Sequence, residues 1–195
     1  MKKTYLLLLL ASFSIISCGV NDSQVKKDKE KLKKDLKGEW KKRTYINHFF
    51  DLNINLNEYW EIDEMEHFST LGATLIDASS FLNGDSINAS AVINLSFKMA
   101  NPFDREASVE KELNESRDGF KMIYEANEID IMDFEPKKLG KKDFILSRIR
   151  LRDSGDTTFV DEYMLKQDKF FLSLVLSYSS KEGFSVCNHI LDQIK

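Results

Sequence analysis

The sequence predicts an α+β domain, an antiparallel β-sheet packed by a long central helix and a C-terminal helix. Three observations predict it. Alternating apolar and polar residues recur in short runs, among them Ala91–Met99 and Phe170–Tyr178. The period changes to that of a helix twice, near 106–127 and near 180–194. The last strand runs are separated by short turns, so they pair antiparallel, and one-sided helices must lie on a sheet face.

Before the domain come two segments of different character. Lys2 and Lys3 precede a short apolar run, Tyr5 to Ile16, which ends at Ile15-Ile16-Ser17-Cys18. The run is short for a bilayer span and stops in small residues, as an export signal does. Its ending resembles a bacterial lipobox. That resemblance implies that residues 1–17 are removed as a signal peptide and that Cys18 carries the lipid, palmitate among its acyl chains. It implies a membrane-anchored envelope lipoprotein. Gly19 follows the cysteine in place of the aspartate that retains many lipoproteins at the inner membrane. In a source with two membranes the expectation is therefore the outer membrane, facing the periplasm.

Residues 18–38 read as a charged tether, with Val25, Leu32 and Leu36 spaced for a frayed helix that buries little. The signal contributes +2 and residues 19–38 contribute +3, which leaves −9 for residues 39–195 out of the chain's −4. An acidic domain is repelled by phosphate and gains nothing from counterion release, so nucleic acid is excluded as a partner. The basic tether lies where anionic headgroups would attract it.

Residues 39–195 are a single-domain length that buries ~70% of its unfolded surface. With 42% hydrophobic residues the chain can fill that core. Cys18 is committed to lipid, so Cys187 has no partner and the domain rests on its core. The histidines, His48, His67 and His189, are scattered, so no metal or other cofactor is expected.

In chain order, Phe50, Leu52, Ile54 and Leu56 alternate with Asp51, Asn53 and Asn55 and predict a strand. Asp51, Asn53 and Asn55 mimic the start of a calcium loop, but Leu56 stands where glycine is required and Ile62 where a bidentate glutamate is required. An acidic patch (Glu58, Glu61, Asp63, Glu64, Glu66) precedes an apolar stretch, Leu71 to Phe81, and Asn83-Gly84-Asp85 signals a turn. After the strand Ala91–Met99, Asn101-Pro102 breaks the chain. Val109, Leu113, Phe120, Ile123 and Tyr124 then share one helix face, with Glu112, Glu115, Arg117, Asp118 and Lys121 assigned to the others. Strands Ile145–Leu151, Phe159–Leu165 and Phe170–Tyr178 follow as a meander. Ser179 with Glu182 suggests a capping box, and Phe184, Cys187, Leu191 and Ile194 form the stripe of the last helix, with Gln193 facing outward.

The opening Tyr45-Ile46-Asn47 with Trp60, and the ending Tyr163-Met164-Leu165, Phe170 to Tyr178 and a last helix, resemble the PsbP-like superfamily. Here Asn57-Glu58-Tyr59 precede the tryptophan, where that family often has proline. The resemblance implies an accessory or binding protein with no shared catalytic motif.

No residue set announces catalysis, and the chain is expected not to be an enzyme. Ser108 and Lys111 have the Ser-x-x-Lys spacing without the companion motifs, so Ser108 is a first-turn residue. Glu66 beside His67 is most simply a surface pair, and Cys187 a buried thiol. Arg148, Arg150 and Arg152 form a positive ladder on one strand face. Pairing with Asp161 or Glu162 is its ordinary explanation, and docking of an acidic partner its functional one. Ser86 and Thr157 head acceptor-like triplets for O-glycans in expected turns. The expected function is a non-catalytic, membrane-tethered protein that binds a protein partner or stabilises an envelope assembly. The alternative is a lipoprotein holding a small molecule or lipid in an apolar pocket between sheet and helix.

Overall fold

A computed structural model describes residues 22–63, 68–81, 90–104, 106–153 and 155–194. Cys18 and the signal, the Glu64–His67 segment, the Asn83-Gly84-Asp85 turn and Ser86 lie outside the described residues. The chain divides into two compact units, Met1–Lys34 and Asp35–Lys195. Of the first, the described part is helical and belongs to α1 (Asp22–Lys37). No helix among the described residues is long and apolar enough to cross a membrane.

The second unit begins inside the last turn of α1, and there the expectation of a linker that buries little fails. Leu36 is fully buried. Its carbonyl accepts from Asn47 Nδ2 at 2.8 Å, and the Lys37 carbonyl accepts from Tyr45 Oη at 2.9 Å. Buried carbonyls need such donors, so Asn47 and Tyr45 fasten the point where the chain enters the domain.

Two sheets follow. The small one is β1 (Glu39–Lys41), β2 (Thr44–Asn47) and β3 (Leu52–Asn55), in that order and antiparallel. The expected strand 50–56 is its third member, shortened because Phe50 and Asp51 sit in the preceding turn. Asn47 Oδ1 accepts from Phe50 N at 2.9 Å, and Asp51 has φ 49°. Leu52 and Ile54 point inward and Asn53 and Asn55 outward, as the alternation requires.

The large sheet contains β4 (Trp60–Ile62), β5 (Gly72–Ser80), β6 (Ala91–Met99), β7 (Ile129–Ile131), β8 (Glu135–Leu139), β9 (Lys142–Asp153), β10 (Asp156–Gln167) and β11 (Phe170–Tyr178). Its order is β4-β5-β6-β11-β10-β9, with β7 and β8 both on the outer edge of β9. All pairings are antiparallel, so the α+β class is the one the sequence predicts.

On one face Leu172, Leu174 and Leu176 of β11 are level with Phe97, Leu95 and Ile93 of β6. Phe50 of the turn before β3 reaches this layer, its ring centroid 5.9 Å from Phe97 and 6.5 Å from Phe170. α3 (Lys181–Leu191) covers the rest through Cys187 and Ile190. Of the predicted stripe, Cys187 and Ile194 are buried as expected, and the departures are these. Ile190 is fully buried, Leu191 half-buried, and Phe184 is 41% exposed. Gln193, expected to face outward without a role, donates to the Asn55 carbonyl and accepts from Asn55 N, tying the chain end to β3.

On the other face lies α2 (Val109–Ile123). Leu113 packs with Met164 and Phe171, and Phe120 and Tyr124 pack against Ile149, Leu151 and Val160. Two assignments to this helix are corrected. Ile123 is 77% exposed, while Arg117, placed on an outer face, is buried. Its guanidinium lies 3.7 Å from the centre of the Phe134 ring and donates to Ser147 Oγ and the Met132 carbonyl. A flat cation satisfied this way substitutes for an apolar contact.

A candidate docking cleft at the start of the last helix

The site is built where β11 ends and α3 begins. Ser180, one residue later than expected, is the N-cap, its Oγ accepting from Gly183 N at 3.0 Å. Gly183 then lets the helix press on the backbone just before β6, since a Cβ there would stand 2.1 Å from the Ser90 carbonyl oxygen. This close approach aims the next residue, Phe184, over Tyr178, with ring centroids 5.1 Å apart. Tyr178 stacks in turn on Phe159 at 5.5 Å. These rings, with Met132, Arg148 and Lys181, line an open cleft of about 440 Å³.

Beneath the rings is a buried polar pair. Asp161 is 1% exposed and accepts from Arg148 Nε and Nη2 at 2.6 Å each. Tyr178 Oη donates to the same carboxylate at 3.2 Å. Two-pronged pairing with a third donor offsets the desolvation of a buried carboxylate. The Asp161 hydrogen bond raises the Arg148 pKa, and burial followed by the Asp161 charge raises that of Tyr178. Burial and Asp161 likewise push the Tyr163 phenol up to about 12. The pair fixes the tyrosine that forms the cleft floor.

The arginine ladder therefore divides. Arg148 has the partner foreseen, Asp161, while Glu162 lies on the opposite sheet face and accepts from Ser116 and Ser173. Arg150 and Arg152 both donate to Asp130 of β7, whose carboxyl is held below its ordinary range, chiefly by the Arg150 hydrogen bond. Two cations share one carboxylate there, next to Phe159, which is in register with Arg150. Asp130 escaped sequence reading because a three-residue strand gives too short a pattern.

The remaining candidates have structural positions. Ser108 caps α2, accepting from Lys111 N, while Lys111 Nζ donates to Asp104 at 2.6 Å. Cys187 is buried beside the sheet, and burial pushes its thiol up to about 12, so it is not a thiolate at neutral pH. His48 and His189 are exposed. Thr157, placed in a turn by the sequence, is half-buried in β10 opposite Arg152. Among the described residues no group of His, Cys, Asp or Glu is arranged to hold a metal ion.

The alternative pocket between sheet and helix has a physical counterpart with different walls. A cavity of about 420 Å³ opens beside α2. Glu112, Glu115, Glu162, Lys98 and three serines share its lining with Met164, Phe171 and Val175, and Glu112 pairs with Lys98. The expected pocket thus has apolar walls interrupted by carboxylates, which a lipid chain filling it would desolvate.

No family model matches the chain, and no curated protein matches it. Several solved structures are similar. Cyanobacterial PsbP from Synechocystis sp. PCC 6803 is 8% identical, with 77% of this chain and 87% of that one covered at a TM-score of 0.49. LpqN, involved in cell envelope biogenesis of Mycobacterium tuberculosis, is 12% identical over 71% and 78%, at 0.46. A protein of Bacteroides thetaiotaomicron VPI-5482 is 10% identical over 73% of this chain, which spans 44% of that one, at 0.42.

Proposed function

We propose that this chain is a non-catalytic cell-envelope lipoprotein, tethered to a membrane through Cys18, that binds a protein partner at the cleft of Phe159, Tyr178 and Phe184. The observation that carries binding is Phe184, an aromatic ring 41% exposed on a fixed helix turn above a stacked aromatic floor. Aromatic anchors of this kind carry a large share of interface energy, and a rigid floor avoids the entropy of ordering on binding. Support for a non-catalytic role is that the serine and thiol singled out from the sequence already serve as a cap and a core residue. Stabilising an envelope assembly is the same reading with a partner that stays bound.

The tether is tested at its chemistry. In the Cys18→Ala protein, intact mass should lose the acyl chains and palmitate labelling should vanish, and the protein should leave the membrane fraction. Unchanged fractionation in the variant would refute the anchor. In a source with two membranes, the native protein should co-fractionate with outer-membrane markers.

A further inference from the structure

Two turns of the acidic domain are rich in lysine, and both lie at the end where the chain enters. β8 and β9 form a hairpin with the two-residue loop Gly140-Lys141, and β10 and β11 turn at Asp168-Lys169. Both tips lie at the same end of the sheet, because β9 and β11 each run antiparallel to β10. Residues 137–143 and 166–169 together hold six lysines against Asp143 and Asp168, within a domain whose net charge is −9. Lys137, Lys138 and Lys141 are exposed and have no acidic partner among the described residues.

Chain entry is at the same end. Leu36 is held by Asn47, Asn47 also binds Phe50 N, and the adjacent Asp51 pairs with Lys142 of the hairpin at 3.7 Å. The end of the C-terminal helix is there too, where Leu191, Asp192 and Ile194 line a groove with Lys138 and Lys141, one carboxylate against two ammonium groups. The cleft lies at the other end, since Phe159 and Tyr178 are eight residues from the β10–β11 turn along their strands. At the usual rise of a strand this is roughly 26 Å.

We propose that the β8–β9 hairpin and the β10–β11 turn form a membrane-facing surface, in which Lys137, Lys138, Lys141 and Lys169 contact anionic lipid headgroups. The proposal rests on the lipoprotein reading, which tethers the entry point to the bilayer through residues 18–35. Edge-strand lysines ordinarily keep copies from pairing, but Lys141 and Lys169 lie in turns, beyond the paired edge. An anionic surface repels the rest of the domain and attracts this end, so the cleft is presented outward, away from the bilayer.

The test uses the acylated chain reconstituted into vesicles of phosphatidylcholine alone or mixed equally with phosphatidylglycerol. An amine-acylating reagent is added, and modification of each lysine is read by peptide mass spectrometry. Lys137, Lys138, Lys141 and Lys169 should be labelled severalfold less in the anionic vesicles, and high salt should remove the difference. Lys181, at the cleft, should be labelled equally in both. Equal labelling of the hairpin lysines in an anchored chain overturns the proposal and leaves the anchor standing. A chain that carries no lipid and stays out of the vesicles overturns both. Protection in native envelope but in neither vesicle assigns the lysines to an acidic protein instead, and also overturns the proposal.

Discussion

Replacing Asp161 with alanine is expected to lower the domain's stability by about 3 kcal/mol. Breaking a buried ion pair costs ~3–5 kcal/mol because the surviving charge loses its partner in a poor solvent. The lower end applies because the Arg148 side chain is 28% exposed and water reaches it, while Asp161 is 2% exposed on the same measure. Such a loss is a large share of the ~5–15 kcal/mol that a domain possesses. Urea unfolding should show the midpoint falling with an unchanged slope. The double change Arg148→Met with Asp161→Leu should recover much of the loss, because no charge is then left unpaired. If Asp161→Ala alone leaves the midpoint in place, the carboxylate is solvated and the cleft floor is not fixed as described.

Two glycines in helices should respond to alanine with opposite signs. In a helix interior, glycine to alanine stabilises by ~0.5–1 kcal/mol through backbone entropy. Gly119 of α2 has nothing within 4 Å of an added Cβ, so Gly119→Ala should raise the unfolding midpoint. At Gly183 the added carbon would meet the Ser90 carbonyl oxygen at 2.1 Å, a backbone atom that cannot swing aside as a flexible side chain would. The helix must move away, loosening Cys187 and Ile190 from the sheet, an overpacking cost of ~1–3 kcal/mol or more that outweighs the gain. Gly183→Ala should therefore lower the midpoint and displace Phe184. A rise in both variants would show that α3 is loosely seated.

Much of the fold was legible where a pattern was long. Ala91–Met99 and Phe170–Tyr178 are strands with the bounds the alternation gives. Short strands were not legible. Ile129–Ile131 offers two apolar residues, and Glu135–Leu139 reads as a charged loop because, as an edge strand, it exposes all but Leu139. Arg117 was misplaced because helical periodicity counts arginine as polar, whereas its burial depends on Phe134 and Ser147, far apart in sequence. The site was half legible. The Arg148–Asp161 pair follows from two facing strands, but the exposure of Phe184 follows from Gly183 meeting Ser90, a contact that no spacing announces. Arg43 is a further case. It donates to the carbonyls of Leu56, Asn57 and Trp60, and so holds the connection between the two sheets.

The binding claim is tested most directly by placing a photo-crosslinking phenylalanine analogue at position 184 in cells that make the acylated protein. Position 122, where Met122 is 88% exposed on α2, serves as the comparison. Illumination should give a discrete protein adduct from position 184 that is absent from position 122 and disappears when Tyr178→Ala removes the cleft floor. The same adducts from both positions, or none from 184 while the protein is anchored in the membrane, would contradict the account.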